Sequence, residues 1–182
     1  MDTLTVCSAA AAERWEGNAM AGESLVNVTA DTIENFLKAA ENKVGEGKGE
    51  IGVTNYTITP KPKMDGKTVS KISFSVDITI KRAHWSGGKA DARQAKAIKA
   101  AEDLNAAHEE KHRKIAQDIC DDMFPEAEKD LVGKTQKDID AKIKTIKAKI
   151  DKAYEALDKR EGAVEFEDDE SKGEITVKLT GA

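Results

Sequence analysis

Ile72, Phe74, Val76, Ile78 and Ile80 alternate with Ser73, Ser75, Asp77 and Thr79 without a break, the clearest rhythm in the chain. Period-two alternation of this kind predicts a strand with one buried face and one wet face. Upstream, residues 51–59 are rich in Val, Thr, Tyr and Ile, and predict a second strand that Pro60 and Pro62 close, with a turn at Asp65-Gly66 between the two. Earlier still, Asp31-Thr32-Ile33-Glu34 offers Asp31 as an N-cap with an acid three residues on. Ile33, Phe36, Leu37, Ala40 and Val44 then recur at helical spacing as far as Gly45, where the Gly-rich stretch 45–49 begins.

Beyond the break at Ser86-Gly87-Gly88 the composition turns to Ala, Lys, Glu and Gln, which predicts a long helix from about residue 90 to about 122, limited by Pro125. A second amphipathic helix starts near Thr135, because Ile139, Ile143, Ile146, Ile150, Ala153 and Leu157 recur every three or four residues, and it ends near Gly162. Val164 and Phe166, then Ile175, Val177 and Leu179, predict a closing hairpin with an acidic turn. The expected fold class is α+β, an antiparallel sheet packed against long helices. Residues 31–182 form its single domain, after a partly ordered N-terminal segment, residues 1–30.

Composition narrows the function classes. Of 182 residues, 35% are charged and only 4% aromatic, so the core rests on Ile, Val, Leu and Ala. The net charge of -5 arises from 34 acids against 29 bases that are interleaved along the helices, with no basic stripe to bind nucleic acid. The longest apolar run, residues 4–12, is too short to span a membrane. It also follows Asp2 and lacks the Lys or Arg of a secretion signal. Cys7 and Cys120 are too few for a disulfide scaffold, and read as buried free thiols or a single bridge.

The chemistry lies in His108-Glu109-Glu110-Lys111-His112. Residues four apart on a helix share a face, so His108 and His112 can reach one Zn²⁺, with Glu109 placed as general base toward a water there. Zinc lowers that water's pKa and polarises the scissile carbonyl, while the glutamate takes and returns the proton. With three histidines in the chain, this pattern arises by chance on the order of once in a few hundred sequences of such composition. Leu104, His108, His112, Ile115 and Ile119 make one stripe, which puts the pair on the inward face. The alternative is two histidines titrating in water on a solvated helix, which requires them to be exposed. His84, beside Trp85, reads as a loop residue packed on the indole rather than a ligand.

These residues, together with the strand 72–80 and Trp85 ahead of the helix, resemble a bacterial family of predicted secreted zinc-dependent proteases, the zincin-like domain of unknown function 922. The resemblance spans roughly residues 50–162 and implies a secreted or periplasmic zinc peptidase acting on a protein or peptide substrate. The family carries a later Tyr-Asp-x-x-Thr-x-His-Gly segment whose histidine is the expected third ligand. This chain has Tyr154-Glu155-Ala156-Leu157-Asp158-Lys159-Arg160-Glu161-Gly162 at that place, one residue longer and without a histidine. Aligned on Gly162, the resemblance implies Glu161 as third metal ligand, against the plainer reading of a solvated charge at a helix end. It also places Tyr154 near the metal as a catalytic phenol, against a satisfied core tyrosine. Two other functions stay open: a catalytically inactive relative kept as a binding or structural module, and a helical interaction module built on the Ile stripe after Thr135.

Overall fold

A computed structural model describes residues 19–44, 50–169 and 171–181. The apolar run 4–12, Cys7 and the Gly-rich stretch 45–49 lie outside the described residues. The elements run β1 (Ala19–Thr29), α1 (Ile33–Lys43), β2 (Gly52–Asp65), β3 (Thr68–Gly87), α2 (Ala92–Asp130), α3 (Gln136–Glu161), β4 (Ala163–Asp169) and β5 (Glu174–Thr180). The fold is α+β, as expected, but the larger sheet is mixed rather than antiparallel. Its order is β1-β3-β2, with β1 parallel and β2 antiparallel to β3, while β4 and β5 form a separate antiparallel pair.

The alternation in β3 resolves as the sequence predicts. Phe74, Val76 and Ile78 are buried, while Asp77 and Thr79 on the opposite face are exposed. The buried face meets Ala116, Cys120 and Phe124 of α2 and Ile139, Ile146 and Ile150 of α3 in one apolar cluster. A second cluster joins Val28 of β1, Phe36 and Ala40 of α1 and Ile98 and Ala101 of α2, with the β4–β5 hairpin packed against it. Among the described residues no helix is long and apolar enough to cross a membrane.

Three local expectations are corrected. Pro125 does not limit α2, which continues to Asp130. An internal proline costs a helix about 3 kcal/mol, and here Phe124 stacks on Phe74 at 5.2 Å while Ala127 and Leu131 are buried, so tertiary packing holds the last turns. Pro60 and Pro62 do not close β2, which runs on to Asp65. They share one parity on an outer strand, the arrangement in which both ring nitrogens turn to the unpaired edge and no ladder bond is lost. Finally, Thr32 rather than Asp31 caps α1, by accepting from Asn35 N, and Asp31 accepts from Lys89 N at 2.6 Å instead.

Candidate metal site between two helices and an outer strand

The segment from Asn105 to His112 lies on α2 between the two apolar clusters, after Ala101 of one and before Ala116 of the other. The buried face of α2 here consists of Asn105, His108, Glu109 and His112, so the histidines do face inward; Leu104, Ile115 and Ile119, expected beside them, are only half-buried. Asn105, His108, Glu109 and His112 are the buried polar residues among the described ones, each 6% exposed or less. Four such groups together cost desolvation unless they have partners. They line a cavity of about 150 Å³ that Thr54 of β2 and Tyr154 and Asp158 of α3 complete.

Three donor atoms converge there. His108 Nε2 and His112 Nε2 stand 3.0 Å apart, and Asp158 Oδ1 lies 3.2 Å from the first and 2.8 Å from the second. His108, His112 and Asp158 thus form a group able to hold a metal ion. Burial lowers both histidine pKa values, against the opposing pull of Asp158, so the rings are neutral at neutral pH and keep lone pairs to offer. Asp158 sits in the last turn of α3, whose C-terminal dipole end favours a cation. The Nδ1 atoms of both rings are buried without a partner.

Glu161 is not brought into this group. Its carboxylate pairs with Lys111, which holds its pKa low, and Asp158, one turn earlier on α3, takes the place that alignment on Gly162 gives to Glu161. Glu161 lies near enough for its charge to act on both rings, yet the lysine inside the histidine segment claims it. Tyr154 does stand at the site: its ring lies 4.3 Å from the His112 ring at 67°. Its hydroxyl is buried without a hydrogen-bond partner, and burial, then the charge of Glu109, raises its pKa, so the phenol stays protonated. His84 lies outside the site, half exposed and 3.3 Å from Glu102.

Residues 25–165 match the family described as bacterial protein of unknown function, DUF922. The chain belongs to the DUF922 family. No curated protein and no solved structure matches it. The matched span of this DUF922 member runs from β1 into β4 and so contains every residue of the site.

Two contributors from β2 were not anticipated. Thr54 Oγ1 donates to Glu109 Oε2 at 2.6 Å, with the Glu109 carbonyl 3.2 Å away as its alternative acceptor. Gly52 lets the strand approach the helix: a Cβ there would fall 2.2 Å from Asn105 Nδ2 and 2.7 Å from Glu109 Oε1. Burial pushes the Glu109 carboxyl up to about 7, with the charges of Asp158 and Glu50 adding to the rise and the Thr54 hydrogen bond opposing it.

That shift sets a pH dependence in the metal-free protein. Between about 4.5, the ordinary value, and about 7 the folded chain keeps a proton on Glu109 that the unfolded chain has released, so this group's contribution to stability falls as pH rises across the window. The buried histidines slope the other way below 6.5, where unfolding lets them take up protons. Glu109→Gln removes the first effect alone. In chelator-treated protein at pH 8 it should be more stable than wild type to urea by at most about 3 kcal/mol, with the gap closing toward pH 4.5. A gap that stays constant with pH would mean that ionising Glu109 costs the fold nothing.

Proposed function

We propose that this protein is a zinc-dependent peptidase that hydrolyses peptide or amide bonds. The observation that carries the reading is the convergence of His108 Nε2, His112 Nε2 and Asp158 Oδ1 on one point beside the buried carboxylate of Glu109. Donors about 2.0–2.1 Å from a tetrahedral zinc stand roughly 3.3 Å from one another, and the sides of this triangle are 3.0, 3.2 and 2.8 Å. Two histidines and a carboxylate form a ligand set typical of catalytic zinc, which leaves a fourth position open. Zinc held there would lower the pKa of a water toward neutrality and polarise a carbonyl.

The chain's own groups divide the remaining work. Glu109, not a ligand, is a buried carboxylate beside the three donors, placed to take a proton from the attacking water and return it to the leaving amine. Thr54 holds that carboxylate in one orientation. Tyr154 brings a protonated phenol with no partner of its own, a donor for the oxyanion that develops on the attacked carbonyl. Among the described residues β2 pairs only with β3, so its other edge offers backbone groups beside the cavity to an extended peptide.

Elemental analysis of the purified protein should give close to one zinc per chain, and a mixture of unfolded proteins should be cleaved in a way that chelation abolishes and zinc restores. Absence of zinc under all loading conditions would remove the reading. A zinc-loaded chain that cleaves nothing would favour an inactive relative acting as a binding or structural module.

The phenol provides a separate check. Tyr154→Phe should keep zinc and lose on the order of a hundredfold in hydrolytic rate, the usual worth of one oxyanion donor. Because the hydroxyl is buried and unpartnered, its removal should leave the melting temperature unchanged or raised. A fall in melting temperature with an unaltered rate would make Tyr154 a packing residue.

A further inference from the structure

Asn105 is the buried polar residue of the cavity that the proposed chemistry does not use. It lies on α2 one turn before His108 and Glu109, is 6% exposed, and lines the same cavity. Asp158 engages both histidines and Thr54 engages Glu109, and the unpartnered Tyr154 hydroxyl already has a part in the proposed chemistry. No hydrogen bond reaches the Asn105 carboxamide among the described residues, and the group is not one of the three metal donors. Gly52 makes room for the carboxamide beside the strand, since a Cβ at that position would fall 2.2 Å from Nδ2. Neither polar atom of the carboxamide is among the enclosed side-chain atoms without a partner, so the group is reached from the cavity and is available to whatever enters it.

We propose that Asn105 is a specificity-determining residue whose carboxamide hydrogen-bonds a backbone amide of the substrate next to the bond that is cleaved. The inference rests on the peptidase reading and names the group by which a peptide is told from other carbonyl compounds. A carboxamide carries donors and an acceptor on one plane, which matches the N–H and C=O of a peptide unit. Being neutral, it selects for a peptide backbone and not for a charged side chain. A site built around such a bond discriminates against ligands that lack the partner, because the protein's amide is then left unpaired.

The test uses two hydroxamates as zinc-anchored probes, acetohydroxamate, which has no peptide amide, and acetyl-trialanine hydroxamate, which has several. Calorimetry on the zinc-loaded protein reads binding without turnover. Asn105→Leu should weaken the peptidyl probe roughly tenfold, leave acetohydroxamate unchanged, and keep the zinc content and melting temperature of wild type. With wild type, N-methylation of one backbone amide of the peptidyl probe should cause the same loss, and this arm decides the matter if the variant does not fold. Equal weakening of both probes by Asn105→Leu, or no N-methyl analogue that binds worse, would overturn the inference while leaving the peptidase reading intact. A wild type that takes up no zinc would overturn the peptidase reading and this inference together.

Discussion

His112→Ala should yield a purified chain without stoichiometric zinc and with a lower melting temperature. His112 Nε2 is the donor nearest to both others, 3.0 Å from His108 Nε2 and 2.8 Å from Asp158 Oδ1, in a residue 6% exposed. Its loss leaves two donors, too few to hold zinc in a closed set. A metal bound only by the folded state stabilises it by about 4 kcal/mol at a thousandfold excess over Kd, so the melting temperatures of wild type and variant should converge once both are chelated. Two further variants separate the carboxylates. Asp158→Ala should lose zinc as His112→Ala does, whereas Glu161→Ala should keep it, because Glu161 spends its charge on Lys111. Zinc retained by Asp158→Ala and lost from Glu161→Ala would restore the assignment made on Gly162. One zinc per chain in His112→Ala at an unchanged melting temperature would dismiss the site.

The contrast between Asp158 and Glu161 shows where the sequence is legible. Periodicity reports which face of a helix is buried, and it places His108 and His112 inward and α3 between Thr135 and Gly162. It does not report which of two carboxylates on nearly the same face of α3 reaches across to α2. A signal was available: Asp158 lies four residues after Tyr154 and follows the buried Leu157, while Glu161 has Lys111 as a competing partner. β3 was readable because one face is dry and the other wet, whereas β1 is an outer strand with Leu25 more than half exposed, so its alternation carries little contrast. Pro60, Pro62 and Pro125 misled for one reason. Local rules end an element at proline, but the position of β2 at the sheet's edge avoids the penalty and the packing of Phe124 on Phe74 offsets it, both set by residues distant in sequence. Thr54 and Gly52 belong to the site only because β2 folds against α2, which no spacing along the chain discloses, whereas Asn105 stands one helical turn before His108 on the same face.

Glu109→Gln should keep zinc and fold yet lose on the order of a hundredfold to ten-thousandfold in hydrolytic rate, the usual worth of a positioned general base. Glutamine has nearly the same size and can still accept from Thr54 Oγ1, so the buried cavity wall is preserved. What disappears is the only group in the segment suited to take a proton from water on this proposal: the histidines would be occupied as ligands, and Glu110 is exposed and paired with Arg113, which holds its pKa low. Glu110→Gln is therefore the matched control and should change the rate little. The two carboxylates differ by one position on the helix, and with it in burial, partner and pKa, so a rate loss confined to Glu109 would trace the chemistry to the environment that β2 and α3 build around it. Elemental analysis of both variants must accompany the kinetics, because a rate loss with lost zinc would signal a damaged site rather than a missing base. Cleavage that persists undiminished in zinc-loaded Glu109→Gln would remove the proposed mechanism, since the remaining titratable group at the cavity with a raised pKa, Tyr154, is a phenol too weakly acidic to be ionised at neutral pH.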